Sequence, residues 1–146
     1  DDINMTKLEE IDQELYDRGI TVHNVELATT KAASMRLDSI ESNESNYAIF
    51  FNQKLMSSSA EERVAKEHEL AHLETGSLYS LDTSLLARKR REYKADKHMI
   101  QKILPIDELK KALAQGLVRW EIAEEFDVTE DAVKRAFQIY KNMEMI

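Results

Sequence analysis

One predicted helix constrains the fold more than any other part of the chain. Ser58 and Ser59 each precede a glutamate by three residues, which gives two overlapping Ser-x-x-Glu patterns typical of a helix start. The residues from there to Thr75 are good helix formers, and Gly76 is placed to end the helix. We therefore predict a helix over 59–75. It carries the pentad His68-Glu69-Leu70-Ala71-His72.

The pentad has the spacing of a metal site. His68 and His72 are one helical turn apart, so both imidazoles lie on the inward-looking face and can bind one ion. Glu69 follows the first histidine, where it can take a proton from a water in the metal's open position. These three residues are the minimal set for zinc-assisted hydrolysis of a peptide bond. The alternative is two ordinary histidines beside a solvated glutamate.

A third ligand has to come from elsewhere, because a catalytic zinc takes three protein ligands and a water. The chain has no cysteine. Glu92 and Asp96 lie four apart on a second predicted helix, and the interval after His72 allows a turn before that helix. We predict Glu92 as the third ligand, and Asp96 as the acceptor of a ligand histidine's N–H. The alternative for this pair is two acids on a helix surface.

Composition narrows the class of protein. At 146 residues, the chain forms one domain or one compact domain with a small helical appendage. The net charge of −8 argues against broad nucleic-acid binding, which needs cations to neutralise phosphates. No apolar run approaches the length of a membrane span, and the N-terminus lacks the apolar segment of a signal peptide. We therefore expect a cytoplasmic protein without a membrane contact.

The remaining pattern predicts an α+β chain that is mainly helical. A small antiparallel sheet would pack on the helix that carries the pentad, and C-terminal helices of helix-turn-helix type would follow. The predicted division is a domain over 1–105 and a helical subdomain over 106–146. The predicted elements are helices over 2–18, 82–104, 107–115, 118–126 and 129–141, strands over 32–37 and 47–51 joined by a polar tract, and a strand or turn over 21–27.

The segment from Trp120 to Phe137 has the cadence of a helix-turn-helix, with Thr129 as the cap of its second helix. DNA recognition would require a basic second helix. Residues 107–146 instead contain six Lys/Arg against nine Asp/Glu. We expect these helices to pack on the rest of the chain or to dock a protein partner. The basic run over 88–91 is likewise expected to be a solvated helix face.

The pentad, the segment Glu92-Tyr93-Lys94-Ala95-Asp96 and the helices after Pro105 resemble the ImmA/IrrE family of small metallopeptidases. The resemblance covers about residues 47–140. It implies a zincin-like core in which His68, His72 and Glu92 bind zinc and Glu69 is the general base. Thermolysin-like enzymes pair a glutamate ligand with an outer aspartate in the same way, which Glu92 and Asp96 match.

Two further positions, His98 and Tyr79, need an interpretation beside the family's pattern. The family usually has an aromatic residue where this chain has His98, and we interpret His98 as a replacement for a packed aromatic that points away from the metal. Tyr79 lies between the two metal-bearing helices and is a weak candidate for a donor to the transition state. We prefer an ordinary packed tyrosine at that position.

The resemblance implies a regulatory, site-specific endopeptidase. Similar proteins are carried by phages and integrative elements or act as stress regulators, and they cleave a helix-turn-helix repressor to relieve repression. The alternative is a non-catalytic regulatory or immunity protein, which would use a peptidase-like scaffold to bind a repressor, a toxin or DNA.

Overall fold

A computed structural model describes residues 4–26, 31–38 and 45–146. Within these ranges the protein is α+β and mainly helical, which confirms the predicted class. Its helices and strands are α1 (Lys7–Asp17), β1 (Thr21–Asn24), β2 (Ala32–Asp38), β3 (Ser45–Phe51), α2 (Ser59–Thr75), α3 (Leu85–Ile103), α4 (Ile106–Ala114), α5 (Arg119–Phe126) and α6 (Glu130–Asn142).

The sheet has the order β1-β3-β2 and is mixed. Strand β2 pairs antiparallel with β3, as predicted, but β1 pairs parallel with β3, with Val22 opposite Ile49. The prediction of a purely antiparallel sheet is therefore wrong. Alternating and apolar residues indicate that a strand forms, whereas its direction depends on the path of the chain through space. Most of the polar tract predicted to join β2 and β3 lies outside the described residues.

The helix boundaries follow local capping signals. Helix α1 begins at Lys7 and not at residue 2, because the Thr6 hydroxyl accepts the Glu9 N–H at 3.1 Å in a capping box. Helix α3 begins after Ser84, whose hydroxyl accepts the Ala87 N–H at 3.2 Å. The predicted starts at 2 and 82 are too early, because the caps at Thr6 and Ser84 begin these helices nearer to their centres. Residues 1–3 lie outside the described ranges.

Helix α2 lies between two hydrophobic clusters. Its residue Leu70 is fully buried in a cluster with side chains of α1 and the sheet, among them Leu15 and Ile49. Its residue Ala71 belongs to a larger cluster shared with α3 and all three C-terminal helices. Burial on both sides fixes α2 in place, and so fixes the pentad that it carries.

The second cluster crosses the predicted boundary between residues 105 and 106. Ile100 on α3 and Val133 on α6 are both fully buried in it. At the same junction the Tyr140 hydroxyl donates to the Leu104 carbonyl at 2.7 Å. The C-terminal helices therefore complete the core of the preceding segment.

No helix in the described ranges is both long and apolar enough to span a bilayer.

Candidate metal centre

The ends of α2 are set by the residues that the sequence singled out. The Ser58 hydroxyl accepts the Glu61 N–H at 3.1 Å, and Gly76 ends the helix in the left-handed conformation with φ of 63°. A non-glycine residue would be strained at that φ. This helix brings both pentad histidines opposite α3.

Three candidate ligand side chains converge between α2 and α3. His68 Nε2 lies 3.1 Å from His72 Nε2 and 2.9 Å from Glu92 Oε2. His72 Nε2 lies 3.2 Å from Glu92 Oε1. A tetrahedral zinc ion with bonds of about 2.0–2.1 Å sets neighbouring ligand atoms about 3.3–3.4 Å apart. The three side chains thus lie close to the spacing of zinc ligands, and two nitrogens with one oxygen form a donor set that zinc accepts.

His72 is oriented by a backbone contact that the sequence did not predict. Its Nδ1 lies 3.1 Å from the Ser77 carbonyl oxygen and 3.0 Å from the Ser77 hydroxyl oxygen, and these contacts hold the ring with Nε2 facing the site. Ser77 is only 2% exposed. Gly76 indicates that the chain reverses here, but not which atom the reversed chain places against the histidine.

His68 is oriented from the other side by Asp96. Its Nδ1 lies 2.9 Å from Asp96 Oδ1, which is the contact predicted from the spacing of Glu92 and Asp96. The second oxygen of Asp96 accepts a hydrogen bond from Arg135 Nε at 3.0 Å. Sequence reasoning missed Arg135, because it lies in α6 and no local pattern connects it with α3.

The contacts between the candidate ligands shift their pKa values in opposite directions. Burial lowers the pKa of His68, but the hydrogen bonds with Asp96 and Glu92 outweigh burial and raise it to about 10. The hydrogen bonds from His68, His72 and Tyr79 hold the pKa of Glu92 well below its usual range. These contacts therefore favour a proton on His68 beside an ionised Glu92. A metal that binds here has to displace that proton.

Glu69 is placed differently from the other carboxylates of the site. The residue is only 6% exposed, yet no donor within the described part of the chain forms a hydrogen bond to its carboxylate. It lines a cleft of about 820 Å³ together with His68, Glu92 and Asp96. A carboxylate that has no hydrogen-bond partner in the described part of the chain, and that is open to a cleft beside the candidate ligands, is suited to accept a proton from water.

The walls of this cleft come from both parts of the chain. Ala32 at the start of β2 lies on one side, and Thr129 and Ala132 at the start of α6 lie on another. The Thr129 hydroxyl accepts the Ala132 N–H at 3.1 Å, which confirms Thr129 as the predicted cap. The C-terminal helices therefore pack on the rest of the chain, as expected, and also form part of the cleft.

Tyr79 is not the packed tyrosine that we expected. It is 40% exposed, and its hydroxyl donates to Glu92 Oε1 at 2.8 Å. That hydrogen bond, together with burial, raises the pKa of Tyr79 to about 12. Its position between the two helices that carry the candidate ligands was a usable signal, but the sequence does not show which way the ring points.

His98 is only partly as predicted. It does not line the cleft, and its Nε2 lies 3.6 Å from Glu74 Oε2. Its side chain is nevertheless 41% exposed, so the interpretation as a packed aromatic substitute is wrong. His23, in β1, stacks on Phe50 with ring centroids 5.1 Å apart and contributes nothing to the candidate metal centre.

The basic run over 88–91 is more than a solvated face. Lys89 and Arg90 are exposed, as expected. Arg88 Nε donates to the Thr83 carbonyl at 2.9 Å, and Arg91 donates to the Leu78 carbonyl. These two arginines therefore hold the loop that carries Tyr79.

Comparisons of the chain with models of known protein families, with curated proteins and with solved structures find no match. The resemblance to the ImmA/IrrE family therefore stays a prediction from the motif residues.

Proposed function

We propose that this protein is a zinc-dependent endopeptidase, with His68, His72 and Glu92 as ligands and Glu69 as the general base. The observation that supports this most directly is the convergence of three ligand atoms within 4.8 Å of one another, beside the Glu69 carboxylate, which has no hydrogen-bond partner among the described residues. Three protein ligands leave a fourth position of a tetrahedral ion open, which is the arrangement of catalytic zinc sites.

Each residue of the site has a separate role in the proposed mechanism. Bound zinc supplies a Lewis acid that polarises the scissile carbonyl and acidifies a water molecule. Glu69 accepts the proton of the attacking water and returns it to the leaving amine. The Ser77 carbonyl and the Asp96 carboxylate hold the two histidines with Nε2 facing the ion. The hydroxyl of Tyr79 restrains Glu92.

The proposed substrate is a protein, specifically a helix-turn-helix transcriptional repressor whose cleavage relieves repression. This part of the proposal rests on the resemblance of the pentad and of the segment from Glu92 to Asp96 to the ImmA/IrrE family. The open cleft beside Glu69, about 820 Å³ in volume, has room for a few residues of an extended peptide.

The test uses zinc-loaded protein and a library of peptides prepared from a digested bacterial proteome, with new termini identified by mass spectrometry. We expect cleavage at a restricted set of sequences. Glu69→Gln should retain zinc and lose at least about a hundredfold in rate, because the proton acceptor is gone. Glu74→Gln, which changes a carboxylate on the same helix that does not line the cleft, is the matched control.

Two results would count against the proposal. Full cleavage by Glu69→Gln would exclude Glu69 as the base. Zinc-loaded wild-type protein that cleaves neither the library nor a co-expressed helix-turn-helix repressor would favour the non-catalytic alternative.

A further inference from the structure

We propose that Arg135 of α6 is a positioning residue of the metal centre, because it holds Asp96 and through Asp96 orients His68. This inference rests on the proposed function and extends it. It makes the C-terminal helices a working part of the site and not an appendage to it.

The contacts form a continuous chain from α6 to the candidate ligand. Arg135 Nε donates to Asp96 Oδ2 at 3.0 Å, and Asp96 Oδ1 lies 2.9 Å from His68 Nδ1. Each oxygen of the Asp96 carboxylate therefore contacts one neighbour, Arg135 or His68. The direction from which Arg135 approaches therefore fixes the carboxylate plane, and that plane sets the angle of the imidazole.

Arg135 is itself held in place. Its guanidinium lies 5.5 Å from the centre of the Tyr93 ring, and its Nη1 donates to Gln138 Oε1 at 3.3 Å. The helix that carries it is anchored in the core by Val133 and Ala136, which are both fully buried. A planar guanidinium restrained on two sides keeps one geometry, and this is the property that a positioning residue needs.

The charges around His68 explain why a cation is needed behind Asp96. Glu92 and Asp96 flank one imidazole, so two carboxylates share a partly buried site. An aspartate without a cation behind it would be free to rotate, and it would then no longer hold the histidine in one orientation. Apart from His68 itself, Arg135 is the cation that contacts Asp96 within the described ranges.

The test measures zinc affinity by competition with a chromophoric chelator, so it does not depend on peptidase activity. We expect Arg135→Gln to weaken zinc binding by about tenfold, the lower end of the effect of outer partners of metal ligands. Arg135→Lys should fall between wild type and Arg135→Gln, because it keeps the charge and loses the planar geometry. Arg119→Gln is the control, since it breaks an exposed ion pair between α5 and α6, 3.5 Å long.

Asp96→Asn shows whether the effect passes through Asp96. In that background Arg135→Gln should cost no further affinity, because the contact between the two side chains is already lost. A general loss of packing would instead lower affinity by the same factor in both backgrounds, and that result would overturn the proposal. Thermal unfolding of the metal-free variants shows separately how far each substitution weakens the fold.

The remaining outcomes also decide the matter. Wild-type zinc affinity in Arg135→Gln would make Arg135 a structural residue only. If Arg135→Gln fails to fold, Arg135→Lys takes its place. Wild-type zinc affinity in Arg135→Lys would then overturn the proposal, and a several-fold weaker zinc affinity would support it. A wild-type chain that binds no zinc would overturn the proposed function itself, and the inference with it.

Discussion

His68 and Glu92 are 24 residues apart in the chain, yet His68 Nε2 lies 2.9 Å from Glu92 Oε2. The contact joins α2 to α3 at the point where His72 also approaches Glu92. Each side chain of this group is held by an outer contact: Ser77 for His72, Asp96 for His68 and Tyr79 for Glu92. The candidate ligands are therefore oriented before any metal binds.

Replacing Tyr79 by phenylalanine should weaken zinc binding with little effect on the fold. The substitution removes the hydroxyl that donates to Glu92 Oε1 at 2.8 Å, so the carboxylate gains freedom to rotate. We expect zinc affinity to fall by about tenfold, as for other outer partners of metal ligands. Chelator competition measures the change. Tyr16→Phe is the matched control, because Tyr16 is 80% exposed on α1. Unchanged affinity in Tyr79→Phe would show that Tyr79 does not restrain Glu92.

Glu61 should make the stability of the protein depend on acid pH. Hydrogen bonds from the Lys31 ammonium and from Ser57 lower the pKa of Glu61 to about 2. A carboxyl whose pKa is lower in the folded state stabilises the fold above its unfolded pKa of 4.5, and that contribution is lost as pH falls from 4.5 toward 2. Glu61→Gln should therefore lower the free energy of unfolding at pH 7, and the difference from wild type should shrink toward pH 2.

Urea unfolding of both proteins at several pH values measures this difference. Glu124→Gln on α5 serves as a control for the removal of one exposed carboxylate. A difference between wild type and Glu61→Gln that stays constant from pH 7 to pH 2 would contradict the assignment.

Tyr140→Phe should destabilise the fold by about 1–3 kcal/mol. The Tyr140 hydroxyl is buried and donates to the Leu104 carbonyl at 2.7 Å, so its removal leaves a buried acceptor without a partner. Because this contact joins α6 to the end of α3, the loss should appear in one cooperative transition of the whole chain. Unfolding in two separate transitions, of which the substitution shifts only one, would instead support independent folding of the 1–105 and 106–146 segments.

The parts of this fold that could be predicted are those that depend on neighbouring residues. Ser58, Gly76 and Thr129 set helix ends through contacts within a few positions, so their patterns were sufficient. The pairing of Asp96 with His68 followed from helical spacing together with one assumption, that the two helices face each other.

The parts that could not be predicted depend on the path of the chain through space. The parallel direction of β1 arises from its position across the central strand, and nothing in residues 21–24 encodes it. The contacts of Ser77 with His72 and of Arg135 with Asp96 arise in the same way. The sequence placed Tyr79 between the two helices, but its orientation toward Glu92 depends on a loop that Arg88 and Arg91 hold.

Zinc binding by the purified wild-type chain and by Glu92→Ala tests the central claim most directly. The measurement is metal content by elemental analysis after zinc loading and desalting, with Glu74→Ala as the control for a carboxylate of α2 outside the candidate ligand set. The predicted result is about one zinc per wild-type and control chain and well under one zinc per Glu92→Ala chain, because that variant has lost one of its three protein ligands. Equal zinc content in wild type and Glu92→Ala, or no zinc in any of the three proteins, would contradict the proposed metal centre.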